Sequence, residues 1–298
     1  MGSAELLPTR GSEMMSSGNT YTTFTQADIK ALEPMLKIGL LATVNPEGLP
    51  HLTLISSLRA NTPGQMIFGQ FVEGMSKQQI REHPKVGFLI MTLDKELWRG
   101  KATFTHTANQ GPEFEMYNQT NMFRYNAYFG IHTVYFMDLV EQSGRQALPM
   151  GQIIVAAVKT MAARALAGKQ SDKEVLNLWT RGLMNKLDNL KFLAYVDNDG
   201  FPVIVPAIQA QVGDGEHMVF STGAYREDLE AIPEGETVAV FGMSLAMEDV
   251  LMRGEFQGIR RRGGVRCGSV KVNWVYNPMP PNAQQIYPEL VLAPVTVF

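Results

Sequence analysis

Residues Ile38-Gly39-Leu40-Leu41-Ala42-Thr43-Val44 run without a charge into Asn45-Pro46-Glu47-Gly48 and then Leu49-Pro50-His51-Leu52-Thr53-Leu54. The first run has the length of a buried strand, and the second has turn chemistry, with Gly48 supplying a positive φ. Beyond the turn, Leu52 and Leu54 fall on one face of a strand and His51, Thr53 and Ser57 on the other. The pattern returns as Leu193-Ala194-Tyr195-Val196 with Gly200 and Pro202, an offset of 152 residues from Leu41. At that offset Met66, Phe68, Ile80, Glu82 and Val86 recur as Met218, Phe220, Ile232, Glu234 and Val238. Ten identities thus fall between positions 41 and 89, where ordinary composition predicts about three. Further on, Leu97, Arg99 and Gly100 match Leu251, Arg253 and Gly254 after a two-residue slip. A unit of this length is no solenoid repeat, so the chain reads as one domain written twice.

Each copy reads as mostly strands. In the first, strands are expected over 38–44, 49–58, 66–71, 85–93, 98–107 and 131–140, with helices over 74–83 and near 113–123. Helices over 152–168 and 172–187 connect the halves. The expected layout is a flexible tail over 1–22, a split barrel over 23–148, a helical linker over 149–188 and a second, degenerate barrel over 189–298. Short strands at this spacing close on one core as a small barrel.

Composition narrows the function classes. Of 298 residues, 26 are Lys or Arg and 29 Asp or Glu, a net charge of −3, so no global pull on nucleic acid or an anionic membrane is expected. The single cysteine, Cys267, excludes an internal disulfide framework and a cysteine-built metal site, and the five histidines show no His-x-x-x-His pairing. The most apolar helical stretch, 153–166, is short and carries Lys159 and Arg164, so no membrane span is expected, and no signal peptide is legible. A cytoplasmic location is the expectation.

Ile38 to Val44, then Gly48-x-Pro50, then Phe68-Gly69-Gln70-Phe71, Met75-Ser76-Lys77 and His83-Pro84-Lys85-Val86 together resemble the flavin-binding split β-barrel proteins related to pyridoxamine 5′-phosphate oxidase. The resemblance covers 22–141 well and 190–281 in degenerate form. It implies a mainly β fold with flanking helices, here two tandem six-stranded Greek-key split β-barrels. It also implies dimeric association, within the chain and as a homodimer, and FMN held in a cleft between barrels.

The resemblance assigns the FMN phosphate to Ser76 and Lys77. Their position in the first turn of a helix suits an anion, because helix N-termini carry free N–H groups and partial positive charge. The alternative for the same residues is a helix cap and a solvated lysine. Ring and ribityl contacts fall to Thr53, Ser56, Ser57, Gln70 and Phe71. His51 is either a neighbour of the ring or an exposed strand histidine. On the substrate side, the aromatic stretch 121–130 offers Arg124, Tyr125 and Tyr128, with a packed interface loop as the alternative.

In the second copy Ser76 and Lys77 become Asp228 and Leu229. A carboxylate repels phosphate and leucine brings no charge, so one cofactor site per chain is expected. Arg260, Arg261 and Arg262, with Arg253, Arg266 and Lys271, form a basic cluster that reads as a solvated hairpin surface or as a grip on a phosphate of a nicotinamide cofactor. Walker, HExxH and Gly-x-Ser-x-Gly motifs are absent. The leading expectation is an FMN-dependent oxidoreductase reduced by NADH or NADPH and acting on a small molecule, with the flavin carrying the chemistry and no catalytic side chain or metal required. The alternatives are a deazaflavin (coenzyme F420) reductase of the same fold and a non-enzymatic flavin- or haem-binding relay. Pyridoxamine phosphate oxidation itself is not expected, because that enzyme's basic substrate-phosphate residues are not recognisable.

Overall fold

A computed structural model describes residues 20–120, 124, 130–168, 171–279 and 283–289; the greater part of the expected tail, and Tyr125 and Tyr128, lie outside them. The first half contains α1 (Gln26–Ala31), β1 (Ile38–Val44), β2 (Pro50–Leu54), β3 (Arg59–Thr62), β4 (Gln65–Gln70), α2 (Met75–Glu82), β5 (Lys85–Met91), β6 (Glu96–Ala108), α3 (Pro112–Asn118), β7 (Thr133–Gln142) and β8 (Gln146–Ala147). Two helices follow, α4 (Met150–Ala167) and α5 (Leu178–Asn185). The second half contains β9 (Leu190–Val196), β10 (Pro202–Pro206), β11 (Gln211–Val212), β12 (His217–Ser221), α6 (Arg226–Ala231), β13 (Thr237–Met243), β14 (Asp249–Arg262), β15 (Val265–Asn277) and β16 (Gln284–Tyr287).

The two sheets have the same order, β2-β1-β5-β6-β7-β4-β3 and β10-β9-β13-β14-β15-β12-β11. Because β2 and β3 are consecutive and stand at opposite ends of that order, the segment 50–62 bends and closes the sheet, pairing β1 with one half and β4 with the other. Each copy is therefore a six-stranded Greek-key split barrel, with β8 or β16 added outside. The bend corrects the expectation of one strand over 49–58. Ile55 N–H donates to Gly39 O at 2.7 Å, and Leu58 N–H turns back to Ile55 O at 3.1 Å. The turns after β1 and β9 are built alike, with Gly48 and Gly200 both at φ +79° and the chain closing from Asn45 to Leu49 and from Asp197 to Phe201.

Three apolar cores follow from these sheets. Leu41, Phe68, Phe88, Trp98 and Tyr135 fill the first barrel, and Leu193, Phe220, Val240 and Phe256 fill the second. A third core joins the barrels: Leu40, Ala42, Leu52 and Leu89 pack against Phe192, Ala194, Ile204 and Phe241. β1 is buried along its whole length, which is why it reads as an unbroken apolar run and not as an alternation. Each large side chain buried there contributes about 1.5–3 kcal/mol. Gly87 sets how closely the barrels approach, since a Cβ there would lie 2.0 Å from the Pro202 carbonyl oxygen.

Strand register corrects two further expectations. Leu89 pairs with Arg99 while Phe241 pairs with Leu251, and Gly87 pairs with Lys101 while Ala239 pairs with Arg253. Bulges fall at 101/102 and at 253/254. The offset of 152 thus holds through both hairpins without a slip, and the counterpart of Arg253 is Lys101. The linker helix expected over 172–187 is confined to α5, capped where Asn177 Oδ1 accepts from Thr180 N–H at 2.8 Å. Residues 171–177 are non-helical, and Val175 and Leu176 both donate to Gly215 O at 2.9 Å.

Candidate functional site

Helix α2 starts at Gly74, an extended N-cap whose first turn receives no side-chain cap. Ser76, in that first turn, is buried, and its Oγ has no hydrogen-bond partner. The capping alternative is therefore excluded. Lys77 beside it is buried as well, which excludes a solvated lysine, and its Nζ makes no ion pair among the described residues. Burial lowers the Lys77 ammonium to about 8, partly opposed by the charge of Glu73. Thr43 Oγ1 donates to Gln79 Oε1 at 2.6 Å and ties α2 to β1, so the first turn stands at a fixed place over the barrel end.

His51 projects from β2 into the same region and is buried, not exposed. Burial first, then the charges of Arg253 and Lys77, holds its imidazole down at about 3, so it is neutral at physiological pH. Its ring meets Tyr276 of the second barrel edge-on, with centroids 6.1 Å apart. The site is thus a junction of both halves. At the end of β4, Gln70 Oε1 accepts from Tyr135 Oη at 2.9 Å, and Arg81 of α2 donates to the same hydroxyl at 2.8 Å.

The structure places Ser76 and Lys77 on α2, His51 on β2 and Gln70 at the end of β4, but not every residue that sequence reading picks out is free to act. The Ser57 hydroxyl donates to Gly69 O at 2.9 Å and accepts from Gly69 N–H at 3.1 Å, while its carbonyl accepts from Tyr117 Oη at 2.7 Å. Ser57 is committed to holding the β2–β3 bend against β4. Thr53 is half-buried on β2, and Ser56 and Phe71 are exposed. Arg124 is exposed, with its N–H donating to Thr120 O at 2.9 Å.

Arg253 is the residue that sequence reading misplaced. It is not part of the hairpin cluster, where Arg260 pairs with Glu234 and both Arg226 and Arg266 pair with Glu230 on an exposed surface. It lies farther down β14, half-buried, with its guanidinium 3.9 Å above the Trp274 ring and its buried Nε without a partner. A lone cation inside the apolar run Val250-Leu251-Met252, at an uninterrupted offset from Lys101, is the signal that identifies it.

The counterpart place in the second barrel is closed. Asp228, equivalent to Ser76, is buried against Arg99 at 2.9 Å. The carboxylate already has its cation, so this place is occupied and not merely repulsive to phosphate. Helix α4 covers the strand end beside it: Ser221 Oγ donates to Ala156 O and Ser221 N–H to Thr160 Oγ1, each at 2.9 Å. Grooves of about 510 Å³, beside Arg164 and Arg181, and about 420 Å³, beside Arg226 and Arg266, flank α4 and include neither Ser76 nor Lys77. Among the described residues no group of side chains has the make-up of a metal site, and no helix is long and apolar enough to cross a membrane.

No protein-family model and no curated protein matches the chain. Among solved structures, an FMN-binding protein from Syntrophomonas wolfei is similar over 41% of this chain and 86% of its own, at 15% identity and a TM-score of 0.34. A Lactobacillus delbrueckii protein provisionally named a pyridoxamine 5′-phosphate oxidase is similar over 41% and 94%, at 15% identity and a TM-score of 0.33. An F420 reductase is similar over 40% and 98%, at 16% identity and a TM-score of 0.32. The assignment of two split barrels rests on the strand order itself.

Proposed function

We propose that the chain is a flavoprotein holding one FMN at the start of α2, and that it works as an oxidoreductase reduced by a nicotinamide donor. The observation that carries this reading is a Ser76 hydroxyl without a hydrogen-bond partner beside a buried Lys77 ammonium that makes no ion pair, both among the described residues, with Glu73 only partly opposing the cost of its burial. A buried charge without a counter-ion is expensive to keep. A phosphate dianion supplies the missing charge and accepts from the hydroxyl, from Nζ and from the free N–H groups of the helix start. The residues present fit such a group. Bound FMN supplies two-electron redox chemistry, and the chain's part is to bind and orient it. Ser76 and Lys77 hold the phosphate, and the Gln70–Tyr135–Arg81 chain fixes polar groups at the strand end. Neutral His51 adds no charge that would compete for the dianion.

The test is the absorption spectrum and stoichiometry of the purified protein after reconstitution. Flavin bands at one FMN per chain support the reading, and a ratio near two overturns the single site. A deazaflavin spectrum selects the F420 alternative, and a Soret band selects haem. Anaerobic bleaching by NADH or NADPH is expected; bleaching by neither removes the nicotinamide donor from the proposal.

A further inference from the structure

Lys101 on β6 and Arg253 on β14 occupy the same register position in the two barrels, each immediately before a bulge. Lys101 reaches across to the β9–β10 turn of the other barrel, where its Nζ lies 3.0 Å from Asp197 and 2.7 Å from Asp199, with Glu141 at 3.4 Å. Three carboxylates surround one ammonium. The corresponding turn of the first barrel faces Arg253 with different chemistry. Asn45 stands where Asp197 does, and its Oδ1 already accepts from Leu49 N–H at 2.7 Å. Glu47 stands where Asp199 does, but it is exposed and forms no ion pair with Arg253 among the described residues. Trp274 occupies the strand position opposite Arg253 that Glu141 occupies opposite Lys101.

Arg253 therefore has an aromatic platform, a buried Nε without a partner and no ion pair among the described residues, and only the charge of exposed Glu47 acts on it from a distance. A guanidinium held flat on an indole is pre-organised to present its fork to a planar or tetrahedral oxyanion. Trp274 stacks on Tyr276 with ring centroids 5.4 Å apart, and Tyr276 meets His51 of β2 edge-on, so Arg253 stands on the side of the second barrel that faces His51, on which its charge and that of Lys77 both act.

We infer that Arg253 completes the phosphate site of the first barrel from the second, so that a ligand phosphoryl group stands where Asp197 and Asp199 stand in the other half. The inference rests on the proposed site at Ser76 and Lys77 and adds its third member.

Flavin fluorescence titration with FMN and with riboflavin, which lacks the phosphate, separates the roles in wild type, Arg253→Gln and Arg253→Lys. Arg253→Gln is expected to weaken FMN by roughly tenfold or more and to leave riboflavin unchanged, with Arg253→Lys in between. A parallel thermal-shift series uses inorganic pyrophosphate, and Asn45→Asp in the ligand-free protein. Pyrophosphate is expected to stabilise the wild type and not Arg253→Gln. Asn45→Asp, which places an internal carboxylate at the Asp197 position, is expected to raise the melting temperature and weaken FMN. Unchanged FMN affinity in Arg253→Gln, or equal losses for FMN and riboflavin, overturns the role of Arg253 while the flavin reading stands. If the wild type binds neither flavin, the flavin reading falls. The pyrophosphate series then decides Arg253: selective stabilisation of the wild type retains its anion role, and equal or absent stabilisation ends it.

Discussion

Ser76 and Asp228 stand at the same point of the helix that links the third and fourth strands of each barrel. In the second barrel the acid meets Arg99, 129 residues away in sequence, and α4 covers the neighbouring strand end through Ala156 and Thr160. In the first barrel, among the described residues, the hydroxyl has no partner and the neighbouring lysine makes no ion pair, and Phe71, the counterpart of Gly223, is 43% exposed. One copy closes this place with an internal ion pair, and the other leaves a buried hydroxyl without a partner among the described residues. The lesson is physical. A buried polar position is either satisfied from within, when it holds the molecule together, or left open, when it marks where a ligand enters.

The largest effect that would break this comparison lies in the closed copy. Asp228→Ala leaves Arg99 buried and unpaired and is expected to cost about 3–5 kcal/mol in denaturant unfolding. Arg99→Leu combined with Asp228→Leu should restore stability to near wild type. A stable Asp228→Ala protein would show that the pair is no joint. In the open copy the sign reverses. Lys77→Met removes a buried charge that makes no ion pair among the described residues, so the ligand-free protein should melt higher, while FMN binding falls by roughly 10- to 100-fold. A lower melting temperature would mean that Lys77 has an internal partner after all. The smallest effect is that of pH. With its ammonium lowered to about 8 in the folded protein, Lys77 is charged below that value and loses its proton above it. FMN affinity should therefore fall as pH rises through 8, by up to about tenfold per unit. Over the same window the unfolded chain still holds that proton, so the ligand-free protein gains stability between about pH 8 and 10, where Lys77→Met shows no such gain. A flat affinity profile would remove Lys77 from the phosphate.

The repeat, the apolar strand β1, the Asn45–Gly48 turn and the polar helix α2 were all legible because each is local: a period, a turn residue, a capping position. The place of Ser76 and Lys77 at the start of that helix was legible for the same reason, whereas their phosphate role came from the resemblance alone. The bend at 55–58 was not, since it depends on the Gly39 carbonyl and on Gly69 meeting the Ser57 hydroxyl from other strands. Nor was the true counterpart of Arg253. The shared Leu-x-Arg-Gly letters at 97–100 and 251–254 suggest a slip, and only backbone pairing shows that none occurs.

The sequence by itself determined that there are two barrels and that only the first keeps a serine and a lysine at the helix start, because strand period, turn chemistry and residue identity are carried along the chain. Tertiary structure alone decided which charges are answered. Lys101 meets Asp199 across 98 residues, Arg99 meets Asp228, and Arg253 rests on Trp274 with no ion pair among the described residues. A charge's worth depends on burial and on what stands within a few ångströms, and the packing of one barrel on the other sets both.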